Sequence, residues 1–324
     1  MKIVITGGVG YIGSHVVLAA LRNGYDVTVF DDLSTSNKKN INPKTKFIHG
    51  SINSKDDLSK LFTSDKYDAV IHLAASKASG ESMLNPKKYT NNNIIGSLNI
   101  LISCIDHGVK YFIFSSSAAV YGNPIYLPID ELHPLNPSSY YGYTKLSTEN
   151  SLEWFSNIHG IKYASLRYFN AAGYDINKRV VGKEKKSENL IPLIMEVAKG
   201  NKPFVSIYGS DYSTKDGTGV RDYVHVSDLA TAHISALEYL RKNSKNLILN
   251  LGSEAGFSVL EIIERTKSIL NVNVPYQAVP RRMGDVARIV SSCAKAKDVI
   301  KWEKKHSELD ILIKSTWQIY SKKI

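Results

Sequence analysis

Short apolar segments alternate with longer amphipathic segments through the first half of the chain. The apolar segments predict strands at Lys2–Thr6, Asp26–Phe30, Lys46–His49, Ala69–Leu73, Lys110–Ser115 and Tyr163–Arg167. The amphipathic segments predict helices near Ile12–Arg22, Lys55–Phe62, Lys87–His107 and Tyr140–Ile158. Because the strands are apolar almost throughout, we expect them to be buried on both faces. The alternation therefore predicts an α/β fold with a parallel sheet between two layers of helices.

The pattern becomes less regular after residue 170. The polar stretch 170–188, which includes a charged run at Lys183–Lys186, predicts a loop. Helices are predicted near Asn189–Ala198, Ser227–Lys242, Ser258–Leu270 and Glu308–Ser321, and strands near Val205–Tyr208, Asn246–Leu251 and Val274–Ala278. We therefore expect a first domain at residues 1–170 and a smaller mixed lobe at residues 171–324 that packs on it.

The chain has 324 residues and a formal net charge of +11, and this length allows one large core or two joined domains. No segment approaches the roughly 18 apolar residues of a membrane-spanning helix. The first residues form a predicted strand that leads directly into a glycine cluster, so we expect no signal peptide and a cytoplasmic location. Two cysteines, Cys104 and Cys293, are too few for a disulfide framework and are expected to be buried thiols. The positive charge is compatible with nucleic acid, acidic lipid or small anionic ligands.

A glycine cluster follows the first predicted strand and opens the first predicted helix. Residues Gly7–Gly13 contain the spacing Gly-x-Gly-x-x-Gly, counted from Gly8. Glycines at these positions allow a tight turn and let the backbone approach a pyrophosphate at the helix N-terminus. The second strand leads into Asp31-Asp32, where an acidic side chain can bind the ribose hydroxyls of NAD and would repel the extra phosphate of NADP. We therefore predict a doubly wound Rossmann sheet that binds NAD, with Asp31 at the ribose.

Tyr141 and Lys145 are one helical turn apart on a predicted helix. The fifth strand ends in three serines, Ser115–Ser117, at the edge where open α/β sheets bind ligands. A phenol has a pKa of about 10 and is a poor base at neutral pH, but a lysine cation and a positive nicotinamide ring both favour the phenolate. This arrangement predicts that Tyr141 takes the proton of a substrate hydroxyl while hydride leaves the carbon that bears this hydroxyl for NAD. Ser117 is predicted to form a hydrogen bond with the oxygen of the same hydroxyl.

Together these motifs resemble the extended short-chain dehydrogenase/reductase family, and the resemblance runs from residue 1 to about 320. Further blocks that carry it are His72–Lys77, Phe114–Gly122, Arg167–Asn170, Asp216–Val226 and Pro280–Asp285. The last two blocks are typical of the family members that invert C4 of UDP-hexoses. The resemblance thus implies an isomerase that interconverts UDP-glucose and UDP-galactose through a 4-keto sugar on tightly bound NAD.

The resemblance also implies roles for individual residues. Ser117, Tyr141 and Lys145 would be catalytic, and no metal is expected. The NAD site would comprise Gly7, Gly10, Tyr11, Ile12, Gly13, Asp31, Asp32, Ser51, Ile52, Lys77, Asn92, Tyr141, Lys145 and Tyr168. The UDP-sugar site would comprise Lys77, Ser117, Phe169, Asn170, Asn189, Arg221, Arg282 and Asp285. A homodimer would form through the helices near Lys87–His107 and Tyr140–Ile158.

Two positions depart from the family pattern. Ser51 stands where the family often has an aspartate that contacts the adenine. Ile289 occupies a position where large aromatic residues restrict turnover of N-acetylated sugars and small residues permit it. Activity on UDP-N-acetylglucosamine is therefore open at this point.

Three other functions compete with this interpretation. A dehydratase would need acidic groups beside the catalytic hydroxyl, and Ala118-Ala119 follow Ser117 instead. An epimerase of UDP-glucuronate, or another NAD-dependent enzyme acting on nucleotide sugars, stays open. A non-enzymatic NAD-binding or nucleic-acid-binding protein is opposed by the complete Ser/Tyr/Lys set, so we expect neither a nucleic-acid nor a membrane partner. We expect Lys77, Arg221 and Arg282 to face diphosphates and most other lysines to face water.

Overall fold

The computed structural model describes residues 1–185, 187–282 and 285–322. Its strands are β1 (Lys2–Thr6), β2 (Asp26–Asp31), β3 (Lys46–His49), β4 (Ala69–His72), β5 (Tyr111–Ser117), β6 (Lys162–Tyr168), β7 (Asn170–Ala172), β8 (Val205–Tyr208), β9 (Val220–His225), β10 (Leu247–Leu251), β11 (Gly256–Ser258), β12 (Tyr276–Val279) and β13 (Arg288–Ile289). Seven of them form one parallel sheet in the order β10-β6-β5-β4-β1-β2-β3. The predicted parallel sheet is confirmed, and the six strands predicted in the first half differ from the observed ones by at most two residues at either end.

The helices include all those predicted, one of them divided, and two short helices that were not predicted. They are α1 (Tyr11–Arg22), α2 (Lys55–Thr63), α3 (Ser79–Leu84), α4 (Pro86–Tyr89), α5 (Gly96–Asp106), α6 (Tyr140–His159), α7 (Leu190–Ala198), α8 (Val226–Asn243), α9 (Val259–Leu270), α10 (Ala294–Ile300) and α11 (Leu309–Tyr320), of which α3 and α10 were not predicted. The single helix predicted near Lys87–His107 consists of α4, a π-helical stretch at Thr90–Ile95, and α5. Stretches of π-helix are rare and occur frequently at functional sites.

The central strands are buried on both faces, as their apolar sequences predicted. In β1, Ile3 and Ile5 belong to the core beneath α1 and α8, whereas Val4 belongs to the core beneath α2 and α5. A strand buried on both faces contributes apolar area to two cores at once. The carboxyl edge of this sheet is therefore a rigid support for loops and side chains.

The second half of the chain returns to the large sheet before it completes the smaller lobe. Strand β10 is the edge strand beside β6, and α8 packs against α1. The smaller lobe has two sheets: β9 pairs with β7 and β13 in parallel and with β11 antiparallel, and β12 pairs with β8. The boundary at residue 170 stays a prediction, and α8 and β10, which lie beyond it in the chain, pack with the large sheet and its helices.

The membrane and cysteine predictions can be compared with the structure. Within the described ranges, none of the helices is both long and apolar enough to cross a lipid bilayer. Both cysteines are buried, as predicted. Burial raises the pKa of Cys293 to about 12, so this thiol stays protonated at neutral pH.

Four buried histidines predict that the fold loses stability in mild acid. Burial lowers the pKa of His15 and His233 to about 4, and of His72 and His225 to about 3. Below pH 6.5 these histidines are protonated in the unfolded chain, whereas in the folded protein they stay neutral. Each histidine therefore removes about 1.4 kcal/mol of stability per pH unit below 6.5, until its folded pKa is reached.

We expect the free energy of unfolding to fall by several kcal/mol between pH 6.5 and 4.5, measured by denaturant titration at constant ionic strength. His233→Gln should make this fall less steep, whereas His159→Gln, at an exposed position, should not change it. A free energy of unfolding that is constant or rises over this range would contradict the prediction.

Candidate active site

The candidate site lies where the strand order of the large sheet reverses. Strands β1 and β4 are neighbours there, and the chain continues outward from them to β2 on one side and β5 on the other. Ligands of open α/β sheets bind in the crevice at the carboxyl ends of such a strand pair. Thr6 Oγ1 and His72 Nδ1 lie 2.7 Å apart at these ends, and His72 Nε2 lies 2.9 Å from Ser97 Oγ. The buried histidine thus fixes the two strand ends to α5.

The glycine loop between β1 and α1 depends on the absence of side chains. Gly7 has a φ of +69°, and a Cβ there would lie 2.7 Å from the backbone nitrogen of Ala74. A Cβ on Gly13 would lie 2.1 Å from the carbonyl oxygen of Gly7. Gly10 precedes α1 and supplies no side-chain cap to the helix N-terminus. The first N–H groups of α1 therefore suit a pyrophosphate, so the loop fits the NAD that the sequence implies.

The two aspartates after the second predicted strand have different surroundings. Asp31, buried at the end of β2, accepts hydrogen bonds from the backbone N–H groups of Val9 (3.0 Å) and Leu33 (2.8 Å). Burial raises the pKa of Asp31, although these hydrogen bonds oppose the rise. Asp32 is exposed and accepts from its neighbour Ser34. The structure thus places Asp31, and not Asp32, directly against the glycine loop.

Three other residues predicted for the NAD site lie near the ends of β3 and β4. Ser51 follows β3, and its hydroxyl oxygen accepts from the backbone N–H of Asn53 at 3.2 Å. Ile52 is buried next to α5. Asn92 lies in the π-helical stretch and donates to Ser76 Oγ at 3.1 Å. The hydroxyl of Ser51 therefore already takes part in a turn, so its contact with an adenine stays a prediction.

Tyr11 and Tyr168 hold structural partners through their hydroxyl groups. Tyr11 donates to the carbonyl oxygen of Gly173, so its side chain joins the start of α1 to the second half of the chain. Ile12 packs partly buried against the main core. Tyr168 ends β6, and its hydroxyl is hydrogen-bonded to Ser115 Oγ. Any contact of these side chains with NAD stays a prediction.

The predicted loop at 170–188 is docked on the glycine loop. Asn40 bridges the two segments, because its Nδ2 donates to the carbonyl oxygens of Val9 (3.3 Å) and Gly182 (3.1 Å). Lys77 Nζ lies 2.5 Å from the Glu184 carboxylate in an ion pair. Lys77 was predicted for the pyrophosphate, whereas Asn40 and Glu184 were not predicted, since Glu184 stands in a lysine-rich run that was expected to face water.

One lysine of that run also departs from the expectation. Lys183 Nζ donates to the carbonyl oxygen of Tyr320 at 3.2 Å and lies 4.6 Å from the centre of its ring. Burial lowers the pKa of Lys183. Lys183 therefore fastens the loop to the last helix, while Lys186 of the same run lies outside the described residues.

The three predicted catalytic residues meet at the carboxyl end of β5. Ser117 ends that strand, and Tyr141 lies in the first turn of α6, where its backbone N–H donates to Ser82 Oγ at 3.0 Å. Lys145 is 3% exposed, and its Nζ donates to the carbonyl oxygen of Ser115 at 2.7 Å. The same Nζ lies 5.8 Å from the centre of the Tyr141 ring. The spacing in the sequence and the end of the strand thus bring the serine, the tyrosine and the lysine together.

Burial works against the charged forms of both Tyr141 and Lys145. Burial raises the pKa of Tyr141, although its hydrogen bond with Ser117 opposes the rise. Burial lowers the pKa of Lys145 to about 7, and Glu149 opposes that fall. The lysine was expected to favour the phenolate, but the protein alone does not lower the pKa of Tyr141. A positive charge brought by a ligand would favour the phenolate.

The predicted diphosphate-binding arginines lie around one carboxylate. Asp285 Oδ1 is 3.7 Å from Arg221 Nη2, and Asp285 Oδ2 is 3.2 Å from Arg282 Nε. The guanidinium carbon of Arg282 lies 4.3 Å from the ring centre of Tyr208. Both arginines thus have partners that orient them, as a bidentate anion site requires. Gly284 of the same motif lies outside the described residues.

The other residues predicted for the UDP-sugar site are divided between the core and the surface. Phe169 is buried in a small cluster against which Ile289 packs. Asn170 donates to the carbonyl oxygen of Asp222 at 3.0 Å, at the edge of β9. Asn189 is exposed and precedes α7 without a side-chain capping bond. Across the described ranges, no cluster of three or more His, Cys, Asp or Glu residues could hold a metal ion.

The chain is similar to known proteins along almost its full length. A profile of the NAD dependent epimerase/dehydratase family matches residues 3–252. The UDP-glucose 4-epimerase of Lactobacillus helveticus is 43% identical to this chain, and the match covers 98% of this chain and 96% of the relative. The crystal structure of UDP-glucose 4-epimerase from Brucella ovis in complex with NAD gives a TM-score of 0.95 at 37% identity, covering 98% of both chains. The crystal structure of UDP-glucose 4-epimerase from Bifidobacterium longum in complex with NAD+ and UDP gives a TM-score of 0.93 at 34% identity, covering 99% of this chain and 98% of that protein.

Proposed function

The chain belongs to the NAD dependent epimerase/dehydratase family, and on that premise we propose that it interconverts UDP-glucose and UDP-galactose by inverting the sugar at C4. The observation that carries the proposal is the meeting of Ser117, Tyr141 and Lys145 at the edge of the sheet that also holds the glycine loop. The protein is thus an isomerase with NAD as its cofactor and a UDP-sugar as its substrate.

The sequence around Ser117 favours epimerisation over dehydration. Ala118 and Ala119 follow it in a short 3₁₀ turn, and neither side chain can donate or accept a proton. Elimination of water from the sugar needs such a group to act on a second carbon. A proton is therefore exchanged at one position only, the hydroxyl on C4.

Each catalytic side chain has one task in this reaction. When bound, NAD supplies the acceptor and then the donor of the hydride at C4. Tyr141 takes the proton of the C4 hydroxyl, and Ser117 holds the same oxygen in line by a hydrogen bond. Lys145 places its positive charge near the phenol and favours the phenolate. On the return step Tyr141 gives the proton back, so the enzyme ends the cycle unchanged.

Inversion requires that the keto sugar rotate within the site while the nucleotide part of the substrate stays bound. We assign that anchoring to Arg221 and Arg282, whose guanidinium groups suit the diphosphate of UDP. Both arginines contact Asp285, which fixes their orientation before substrate arrives. Strong polar contacts on the nucleotide and few on the sugar would let the keto sugar rotate without leaving the enzyme.

We also propose that the protein is cytoplasmic and forms a homodimer through α5 and α6. Five large hydrophobic side chains are exposed along this part of the chain: Ile95, Ile102, Tyr143, Trp154 and Ile158. Exposed apolar patches of this kind are typical of protein–protein contacts. The mass measured by analytical ultracentrifugation tests the dimer directly.

The proposed function is tested by adding UDP-galactose to the purified protein without free NAD and following the sugar protons by NMR. Conversion to an equilibrium mixture with UDP-glucose is the expected result. An absence of conversion, even after NAD is supplied, would refute the proposal. UDP-glucuronate in a parallel sample tests whether the enzyme prefers a carboxylated sugar.

The size of residue 289 should control activity on N-acetylated sugars. Ile289 lies in β13 beside Arg221 of β9 and packs in the Phe169 cluster. Ile289→Ala opens space there, so the kcat/KM for UDP-N-acetylglucosamine should rise about tenfold relative to that for UDP-galactose. Ile289→Tyr should lower the same ratio. If both variants leave the ratio unchanged, Ile289 does not line the sugar site.

A further inference from the structure

A buried ion pair lies one helical turn beyond Lys145 on α6. Arg167 Nε lies 3.0 and 3.2 Å from the two carboxylate oxygens of Glu149, and Arg167 Nη2 lies 2.5 Å from Oε2. The two side chains are only 3% and 4% exposed. Removing both charges from water costs several kcal/mol per ion, and an apolar pair of similar volume is often as stable. The pair therefore calls for an explanation beyond the stability of the fold.

The ion pair is tied to the strand that carries the catalytic serine. Ser116, beside Ser117, donates its hydroxyl proton to the Glu149 carboxylate. Ser115, on its other side, offers the carbonyl oxygen that Lys145 binds. Arg167 is the register partner of Ser116 on β6. The pair thus fixes α6, β5 and β6 at the point where they hold Lys145.

Lys145 is in surroundings that oppose its charge. Burial lowers the pKa of its ammonium group to about 7, even though its Nζ lies 4.9 Å from the centre of the Phe114 ring, whose face attracts a cation. Glu149 is the acidic group that raises this pKa. Without that carboxylate the ammonium would lose its proton more readily, and the phenolate of Tyr141 would lose a favourable charge.

We propose that the Glu149–Arg167 ion pair is a positioning element of the active site, which keeps Lys145 protonated and directed at the phenol of Tyr141. Glu149 supplies the negative charge, and Arg167 holds that carboxylate in place as its buried counter-ion. This inference rests on the proposed function, since it assigns the pair a task in the same reaction.

Other titratable groups surround Lys145 and must be considered with the pair. Tyr141 lies on the same helix, His72 faces Lys145 from β4, and Tyr168 comes from β6. Burial, with a smaller contribution from Lys145, lowers the pKa of His72 to about 3, so His72 is neutral at the pH of the assay. Burial also raises the pKa of Tyr168 far above neutral pH. The ionisations that shape the alkaline side of the profile are therefore those of Lys145 and Tyr141.

Arg167 also connects the Glu149–Arg167 ion pair to the neighbouring strand β10 through hydrogen bonds. Its Nη1 donates to the hydroxyl of Tyr121 at 3.1 Å, and that hydroxyl donates to Asn250 Oδ1 at 2.6 Å. Burial opposes the charge of Arg167, but its hydrogen bonds with Glu149 raise its pKa. Arg167 thus stays charged across the pH range of any assay, and Glu149 keeps its partner.

The test is the pH dependence of kcat for the holoenzyme and two single variants. In Glu149→Gln the alkaline limb of the profile should shift by about one unit to lower pH, because Lys145 then loses its proton at a lower pH. In Arg167→Met the alkaline limb should also shift to lower pH, because a buried carboxylate without its counter-ion favours its neutral form and Lys145 loses the nearby negative charge. A shift along the pH axis cannot come from general damage to the fold, which would lower kcat equally at every pH. Glu149→Asp should restore most of the wild-type profile.

The double variant Glu149→Gln/Arg167→Met keeps the test decisive where a single variant does not fold. It removes both buried charges, so it should fold, and its alkaline limb should be shifted to lower pH. A wild-type profile in the folded double variant, or a limb that shifts to higher pH in a folded single variant, would overturn the inference. An inactive wild-type enzyme would refute the proposed function, whereas active variants with unshifted profiles would refute only the role of the pair.

Discussion

Replacing Tyr141 with phenylalanine should lower kcat for UDP-galactose by at least about a thousandfold. The substitution removes the group that takes the proton from the C4 hydroxyl, and general acid–base groups contribute up to about 10⁴-fold in rate. The phenylalanine ring fills the same partly buried space on α6, so the fold and the binding of UDP should be retained. Steady-state kinetics, with UDP binding measured by calorimetry, separate the loss of kcat from any loss of affinity.

Tyr143→Phe is the matched control for this substitution. Tyr143 lies two residues further along the same helix, is 51% exposed, and stacks on Tyr140. Its loss of a hydroxyl should leave kcat within about twofold of the wild type, because the ring is kept and the hydroxyl lies outside the proposed catalytic set. A near-normal kcat in Tyr141→Phe would refute the assigned base. An equal loss in both variants would show that the helix, and not the hydroxyl, is responsible.

Replacing Gly13 with alanine should abolish stable binding of NAD and destabilise the fold. The new Cβ would lie 2.1 Å from the carbonyl oxygen of Gly7, which is backbone and cannot move aside cheaply. Either α1 shifts away from the glycine loop, or the loop itself opens. Overpacked positions cost about 1–3 kcal/mol, and the shift also moves the helix N-terminus away from the pyrophosphate. NAD retained through purification and the denaturation midpoint are the two readouts.

Gly80→Ala is the control for the glycine substitution. Gly80 lies in the short helix α3, and a Cβ there has no atom within 4 Å. This variant should keep its NAD and its stability, because alanine is the better helix former. If Gly13→Ala also keeps both, the close contact between α1 and the glycine loop does not hold the cofactor site together.

The large sheet could be predicted from the sequence because its signal is local. Each central strand is a continuous apolar run, and the order of strand and helix fixes a parallel arrangement. The strand β13 could not be found in this way, because it is two residues long and exists only through its pairing with β9. The strand β9 contains two adjacent charged residues, Arg221 and Asp222, and its role as the centre of the smaller sheet depends on partners far along the chain.

The candidate catalytic residues were predictable for the same reason. Tyr141 and Lys145 are separated by one helical turn, and Ser117 ends a strand, so both signals are read within a few residues. Glu149 continues the same helical spacing from Lys145 and could have been singled out as a third member of that face. Its partner Arg167 could not, since their contact requires the position of β6 against α6.

The charge of the chain gave the least guidance. Glu184 and Lys183 stand in a run that composition assigns to solvent, yet one pairs with Lys77 and the other with Tyr320. Which charges of such a run find partners is decided by how the loop docks on the glycine loop and the last helix. A count of charges contains no information about docking, so these contacts needed the structure.

The central claim is that one hydride leaves C4 and returns to the opposite face of the same sugar. The most direct measurement uses UDP-galactose deuterated at C4, incubated with the purified holoenzyme in ordinary water and without added NAD. We predict UDP-glucose that retains the deuterium at C4, seen by NMR as the absence of the C4 proton signal. UDP-glucose that carries a proton from water at C4, or no UDP-glucose at all, would contradict the account.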